Sequence, residues 1–164
     1  MKKFLLLVAA LLVVVGASAA SRKSKTTDTE VFKYEIEGVK EGSQGTYLVR
    51  VWSYSNKSKI DLEICKKNAV HGVIFKGYAA NDGVRPQKPL VTTPGAEVQH
   101  ADYFELFFKD GGEYNKYITI TAGSQQVVKV GKQYHIGLVV SVSKDALRKA
   151  LEQAGVVKSL GSGF

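Results

Sequence analysis

The chain has 164 residues, 45% of them hydrophobic and 23% charged, with 16 Gly, 3 Pro and one Cys. That balance excludes disordered, collagen-like and disulfide-stapled classes and suits one globular domain. The formal net charge of +8 has the size of a nucleic-acid or membrane-surface signature, so its location along the chain decides its meaning.

Met1-Lys2-Lys3 precedes an unbroken apolar run from Phe4 to Val15, followed by the small residues Gly16-Ala17-Ser18-Ala19-Ala20. This three-part pattern predicts a secretory signal peptide over residues 1–19, cut after Ala19 or Ala20. The run has twelve residues, against the roughly 20 that span a bilayer. No later apolar stretch is long enough to span one, so the chain after leader removal carries no expected transmembrane segment. The expected address is periplasmic or extracellular, in a bacterium.

Losing Lys2 and Lys3 leaves 21 basic residues against 15 acidic, a net of +6. Arg22, Lys23 and Lys25 fall in a basic polar linker, residues 20–29, and without them and Asp28 the net is +4. Much of the charge is therefore leader and linker. Cys65 is the single cysteine, so no intramolecular disulfide can form, and a buried small apolar role fits it best.

Residues 30–157 read as a single α+β domain. Phe32, Tyr34 and Ile36 alternate with Lys33, Glu35 and Glu37, which predicts a half-buried strand over Val31–Glu37. A turn from Gly38 to Gly45 leads to a second strand, Thr46–Tyr54, apolar enough on both faces to lie centrally. Ser58 to Asp61 matches a capping box, and a helix follows from about Lys59 to His71. Gly72 then interrupts it, and Val73-Ile74-Phe75 reads as a buried strand. The stretch Tyr78–Thr92 is rich in turn chemistry, with Asn81-Asp82-Gly83, Arg85-Pro86 and Lys88-Pro89.

Thr93-Pro94 predicts a helix start; Val98, Ala101, Phe104, Phe107 and Phe108 form its apolar face, and Asp110-Gly111-Gly112 ends it. Three strands follow at Tyr117–Thr121, Gln126–Val130 and Gln133–Val142. Ser143 is expected to cap a closing helix with Leu147, Ala150, Leu151 and Ala154 on one face, ended at Gly155. Residues 158–164 form a Gly/Ser tail. The order predicts an antiparallel or mixed sheet of about five to six strands with three helices packed on it.

Motifs for chemistry are sparse. No CxxC, HExxH, GxSxG or GxxxxGK(S/T) occurs, and His71, His100 and His135 do not stand at metal-ligand spacing; no cofactor or metal is expected. His100 and Asp102 are the local His/carboxylate pair that an enzyme would draw on, although two residues apart they do not share a helical face. Arg50, Trp52 and Tyr54 on one strand face are the nearest approach to a basic-aromatic nucleic-acid surface. A sheet face covered by a helix, with Arg50 paired to a carboxylate, explains them better, and no nucleic-acid partner is expected.

From Lys66 to Gly77 the chain resembles uncharacterised exported proteins of Bacteroidota. That resemblance implies a Gram-negative envelope and carries over no active site. The leading functional expectation is a non-enzymatic binding or assembly module of the envelope, partnered by another envelope protein or a surface assembly. Its candidate contact loop is Asn81, Asp82, Arg85 and Lys88. A small exported hydrolase or carbohydrate-active enzyme is the alternative, and binding to an anionic polymer or lipid surface a third reading.

Overall fold

Alternating side chains set the sheet. In a computed structural model, which describes residues 29–43, 45–80 and 83–159, β1 (Thr29–Glu41) and β2 (Tyr47–Ser55) pair antiparallel, with Ile36 opposite Val51 and Glu37 opposite Arg50. β5 (Gln133–Val142) takes the other side of β2. Its own far edge is shared by β3 (Ile118–Ile120) and β4 (Gln126–Val130), both antiparallel. Among the described residues the five strands run β1-β2-β5, with β3 and β4 end to end along the outer edge of β5. The expected leader, most of the linker, Asn81, Asp82 and the end of the tail lie outside the described residues.

One face of the sheet is apolar and covered. Val49 and Val51 of β2 and Ile136, Leu138, Val140 and Val142 of β5 are fully buried there. Helix α1 (Leu62–His71) supplies Cys65, Ala69 and Val70, and α4 (Lys144–Gln153) supplies Leu147 and Leu151. Each Val, Leu and Ile among them contributes about 1.5–3 kcal/mol on burial. Two shorter helices, α2 (Ala96–Gln99) and α3 (Ala101–Phe107), add Ala96, Phe104 and Phe107 to the same core. The class is α+β, as the element order implies. Among the described residues no helix is long and apolar enough to cross a membrane.

Several local expectations are corrected. β1 runs on to Glu41, past the expected turn start at Gly38, because Gly38 to Glu41 find partners in Val49, Leu48 and Tyr47. The cap of α1 is Asp61, not Ser58: its carboxylate accepts from the backbone N–H of Glu63 (3.1 Å) and Ile64 (3.2 Å). The helix accordingly starts at Leu62 rather than Lys59. Ser143 makes no side-chain cap to α4; its N–H donates to Tyr117 O at 2.8 Å. α4 does end as expected, with Val156 N–H on Leu151 O (2.9 Å) and Gly155 N–H on Glu152 O (3.0 Å), the bond pair of a Schellman motif.

The largest correction concerns Gly72. It keeps helical dihedrals (φ −59°, ψ −44°) and opens a π-helical turn, Gly72–Lys76, where a strand was expected. Val73 and Ile74 are buried from helical positions; a short apolar run does not by itself distinguish the two forms. Gly77 (φ 64°, ψ −160°) stops the turn. The following stretch is tied down: Tyr78 and Gln87 exchange two backbone hydrogen bonds of 2.9 Å, and Val91 N–H reaches Ile74 O at 2.9 Å.

The helix expected from Thr93 onward is broken. Gly95 at φ 74° precedes α2, and His100 (φ −113°, ψ 32°) separates α2 from α3. The break turns Val98 off the line of Phe104 and Phe107, leaving it 80% exposed. A 3₁₀ turn, Glu113–Tyr117, shortens the next strand to Ile118–Ile120.

Candidate functional site

The site grows from an irregularity in β1. Pairing with β2 shifts register between Thr29 and Tyr34, and inside that bulge Phe32 adopts φ 59°. Left-handed backbone is costly for a bulky side chain, and two contacts hold it. The Phe32 N–H donates to Asn68 Oδ1 at 2.7 Å, while Asn68 Nδ2, wholly buried, donates to Ser53 Oγ at 2.9 Å. The Phe32 ring lies stacked on the His71 imidazole, with centroids 4.1 Å apart, and meets Phe108 edge-on at 5.2 Å.

His71, at the end of α1, links two further elements. Tyr34 OH lies 2.5 Å from its Nδ1, and Glu97 Oε1 of α2 lies 3.0 Å from its Nε2. Burial pushes the imidazole pKa below its ordinary value, assisted by the Lys76 charge and opposed by Glu97. A neutral ring carrying its proton on Nε2 satisfies both bonds: Tyr34 donates to Nδ1, and Nε2–H donates to the Glu97 carboxylate. Burial and the nearby Glu97 charge raise the Tyr34 phenol, so it serves as a donor and not as a phenolate. Lys76 Nζ sits 3.9 Å from the centre of the Tyr34 ring and donates to Tyr34 O at 3.2 Å.

Above this chain lies a cleft of about 500 Å³ between the β1 bulge and the α2–α3 pair. Val31, Phe32, Val98, Ala101, Phe104 and Phe108 make its walls, with Lys67, Glu97 and Glu105 as its charged members. Apolar walls with a few polar groups, at this volume, are the composition of ligand and peptide pockets. Lys67 is 10% exposed and bonded to Asp110 Oδ1 at 2.6 Å, so its charge is already matched. The Glu97 side chain is 46% exposed, and Glu105 is exposed. No family model, curated protein or solved structure matches this chain.

Residues singled out in the sequence fall elsewhere. His100 is the half-buried joint between α2 and α3, and Asp102 is exposed on α3; neither lines the cleft. Among the described residues no cluster of three or more His, Cys, Asp or Glu could hold a metal ion. Arg85 and Lys88 are both exposed. Arg85 borders a different, more polar cleft of about 290 Å³ with Tyr47, Gln87 and Lys144, and Asn81 and Asp82 are outside the described residues.

Arg50 does find a carboxylate, Glu37 Oε1 at 3.1 Å, which also accepts from Trp52 Nε1 at 3.2 Å. The helix expected over that face is absent from it among the described residues: α1 lies on the Val49 and Val51 side. Cys65 is buried as expected, and its thiol is pushed up to about 11, chiefly by that burial.

The residues that sequence reasoning missed are Tyr34, His71 and Glu97. They stand on three elements, and the Tyr34–His71 bond spans 37 positions, so no local motif reports it. The one usable sign was a histidine placed at the apolar end of a helix.

Proposed function

We propose that the chain is an exported, non-enzymatic binding module of the bacterial cell envelope, which holds another envelope protein or a surface assembly in the cleft between β1 and α2–α3. The observation that carries this reading is the cleft itself: about 500 Å³, walled by Phe32, Phe104 and Phe108, with Val98 80% exposed at its side. Large apolar side chains left in water beside a concave apolar surface mark contact sites. The leader-like residues 1–19 support export, and the likeness of Lys66–Gly77 to exported Bacteroidota proteins supports the envelope address.

The test is chemical cross-linking in the host followed by affinity purification of the tagged protein from the envelope fraction. The native chain is expected to bring down one reproducible partner, and Ala101→Trp, which fills the cleft from an exposed position, is expected to lose it. Retention of the same partner by Ala101→Trp removes the cleft assignment.

A small exported hydrolase is the second reading, favoured by the 3.0 Å Glu97–His71 contact, since a carboxylate orienting an imidazole is the arrangement of a general base. Against it, Phe32 is stacked on the ring and the Tyr34 phenol is raised. Hydrolysis of a generic ester or glycoside panel that His71→Gln abolishes, with the fold intact by circular dichroism, would favour the enzyme.

A further inference from the structure

Resting on the cleft reading above, we propose that the cleft takes a peptide segment in which an apolar anchor side chain is flanked by Lys or Arg. The apolar half follows from its walls, where Val31, Phe32, Phe104 and Phe108 offer hydrocarbon to a side chain of Leu or Phe size.

The cationic half follows from how charge is distributed. Without the leader the chain carries +6, and +4 without the linker, yet from Pro89 to Phe108 there are twenty residues without a single Lys or Arg, and these contain Glu97, Asp102 and Glu105. This segment, net −3 on a basic protein, contains α2 and α3, one wall of the cleft. Among the described residues the one cation of the lining, Lys67, is bonded to Asp110, which leaves Glu97 and Glu105 as its uncompensated charges. Glu97 gives one oxygen to His71, and a carboxylate keeps acceptor capacity beyond a single bond. A cationic flank is attracted to this rim while an acidic one is repelled. The basic remainder of the surface turns such a partner away elsewhere, so charge also sets where it lands.

The test titrates the isotope-labelled exported form, residues 20–164, with three acetylated, amidated hexapeptides at low salt. They are Lys-Lys-Leu-Phe-Lys-Lys, its charge-reversed Glu-Glu-Leu-Phe-Glu-Glu, and the anchorless Lys-Lys-Gly-Gly-Lys-Lys. The first is expected to shift the backbone amides of Val31, Phe32, Val98 and Ala101, and the third to leave them in place. The second is expected to bind about tenfold more weakly, as two solvent-accessible carboxylates each worth about threefold imply. Glu105→Gln is expected to weaken the first peptide about threefold, and roughly 0.5 M salt to erase most of the difference.

Equal affinity for the Lys and Glu peptides overturns the cationic assignment and leaves the cleft reading standing. Absence of shifts with all three overturns the proposed anchor, while the cleft reading is decided separately by cross-linked capture with Ala101→Trp.

Discussion

Asn68→Ala is the most informative single perturbation, because it removes the hydrogen bond that holds the Phe32 amide in the β1 bulge together with the buried bond that fixes its acceptor. Asn68 is fully buried, accepts the Phe32 N–H at 2.7 Å and donates to Ser53 Oγ at 2.9 Å. Leaving a buried amide donor without a partner costs about 1–3 kcal/mol, and the lost Ser53 bond about 0.5–1.5 kcal/mol. Together these imply a destabilisation of about 3 kcal/mol. For roughly 130 described residues, an unfolding entropy of about 2.1 cal/mol/K per residue turns that into a fall in Tm of about 10 °C.

Thermal melts and urea titrations of native, Asn68→Ala, Phe32→Gly and the double variant form a cycle. Phe32→Gly relieves the left-handed backbone and loses the ring stack on His71, so the two changes share one cause, and a coupling of at least about 1 kcal/mol is expected between them. An Asn68→Ala cost below about 0.5 kcal/mol, or one unchanged in the Phe32→Gly background, refutes the account of Asn68 as the clamp of the bulge.

Gly77→Ala should be among the most damaging substitutions in the chain: φ is 64°, and a Cβ would stand 2.1 Å from Gln87 O and 2.8 Å from Pro89 N. A loss above about 3 kcal/mol, seen as a collapsed melting transition or insoluble expression, is expected. Gly137→Ala meets the Trp52 ring at 2.6 Å. Because Trp52 is the only tryptophan, its displacement from the sheet is expected as a red-shifted emission maximum with a stability change of about 1–2 kcal/mol.

Glu63 gives the pH prediction. Burial alone would raise its carboxyl, but hydrogen bonds from Lys66, Tyr114 and Asn115 and the Lys66 charge outweigh it and hold the group at about 2. A folded value below the unfolded one of about 4.3 contributes stability that is present above about pH 4.3 and lost as pH falls toward 2. With the side chain 34% exposed, screening reduces the contribution to about 1 kcal/mol. Glu63→Gln should therefore lower the urea midpoint at pH 6 and match the native protein near pH 2; a gap that persists at pH 2 contradicts the linkage.

What the sequence revealed and what it hid divide along physical lines. β2 and β5 were legible because Val49, Val51, Ile136, Leu138 and Val140 recur at the two-residue period that a half-buried strand requires. The closing helix was legible because Leu147 and Leu151 share one face and Gly155 sits where a Schellman motif needs it.

Gly72 misled because a glycine after a helix ordinarily ends it. Here its missing side chain admits β1 instead: a Cβ would stand 2.7 Å from Ile36 Cδ1 and 3.1 Å from Tyr34 Cε2. That is a tertiary cause with no local sign. Val98 misled in the opposite way, since its spacing from Ala101 fits one continuous helix until His100 departs from helical dihedrals. The cleft was hidden for the same reason as the Tyr34–His71–Glu97 chain. Its walls come from the first strand and from α2–α3, some 65 to 75 positions apart in the numbering, and only a long-range packing arrangement brings them together.

The two margins of the sheet differ in a way that bears on crowding. Along β1 the rim is occupied from within: the Phe32 amide by Asn68, the Tyr34 carbonyl by Lys76, and Gly38 by Tyr78 and Val84, both within 2.7 Å of where its Cβ would lie. A strand from a neighbouring molecule arriving there finds the Phe32 amide and the Tyr34 carbonyl already taken and the Gly38 position packed against side chains. At β4 the margin is short and open, with Val127, Val128 and Val130 at 42%, 46% and 49% exposure and Lys129 as the one charge among them. Unpaired, apolar edges are where strands add. Strand addition between copies at high concentration is expected first at β4, and a second charge placed at Val128 is expected to suppress it.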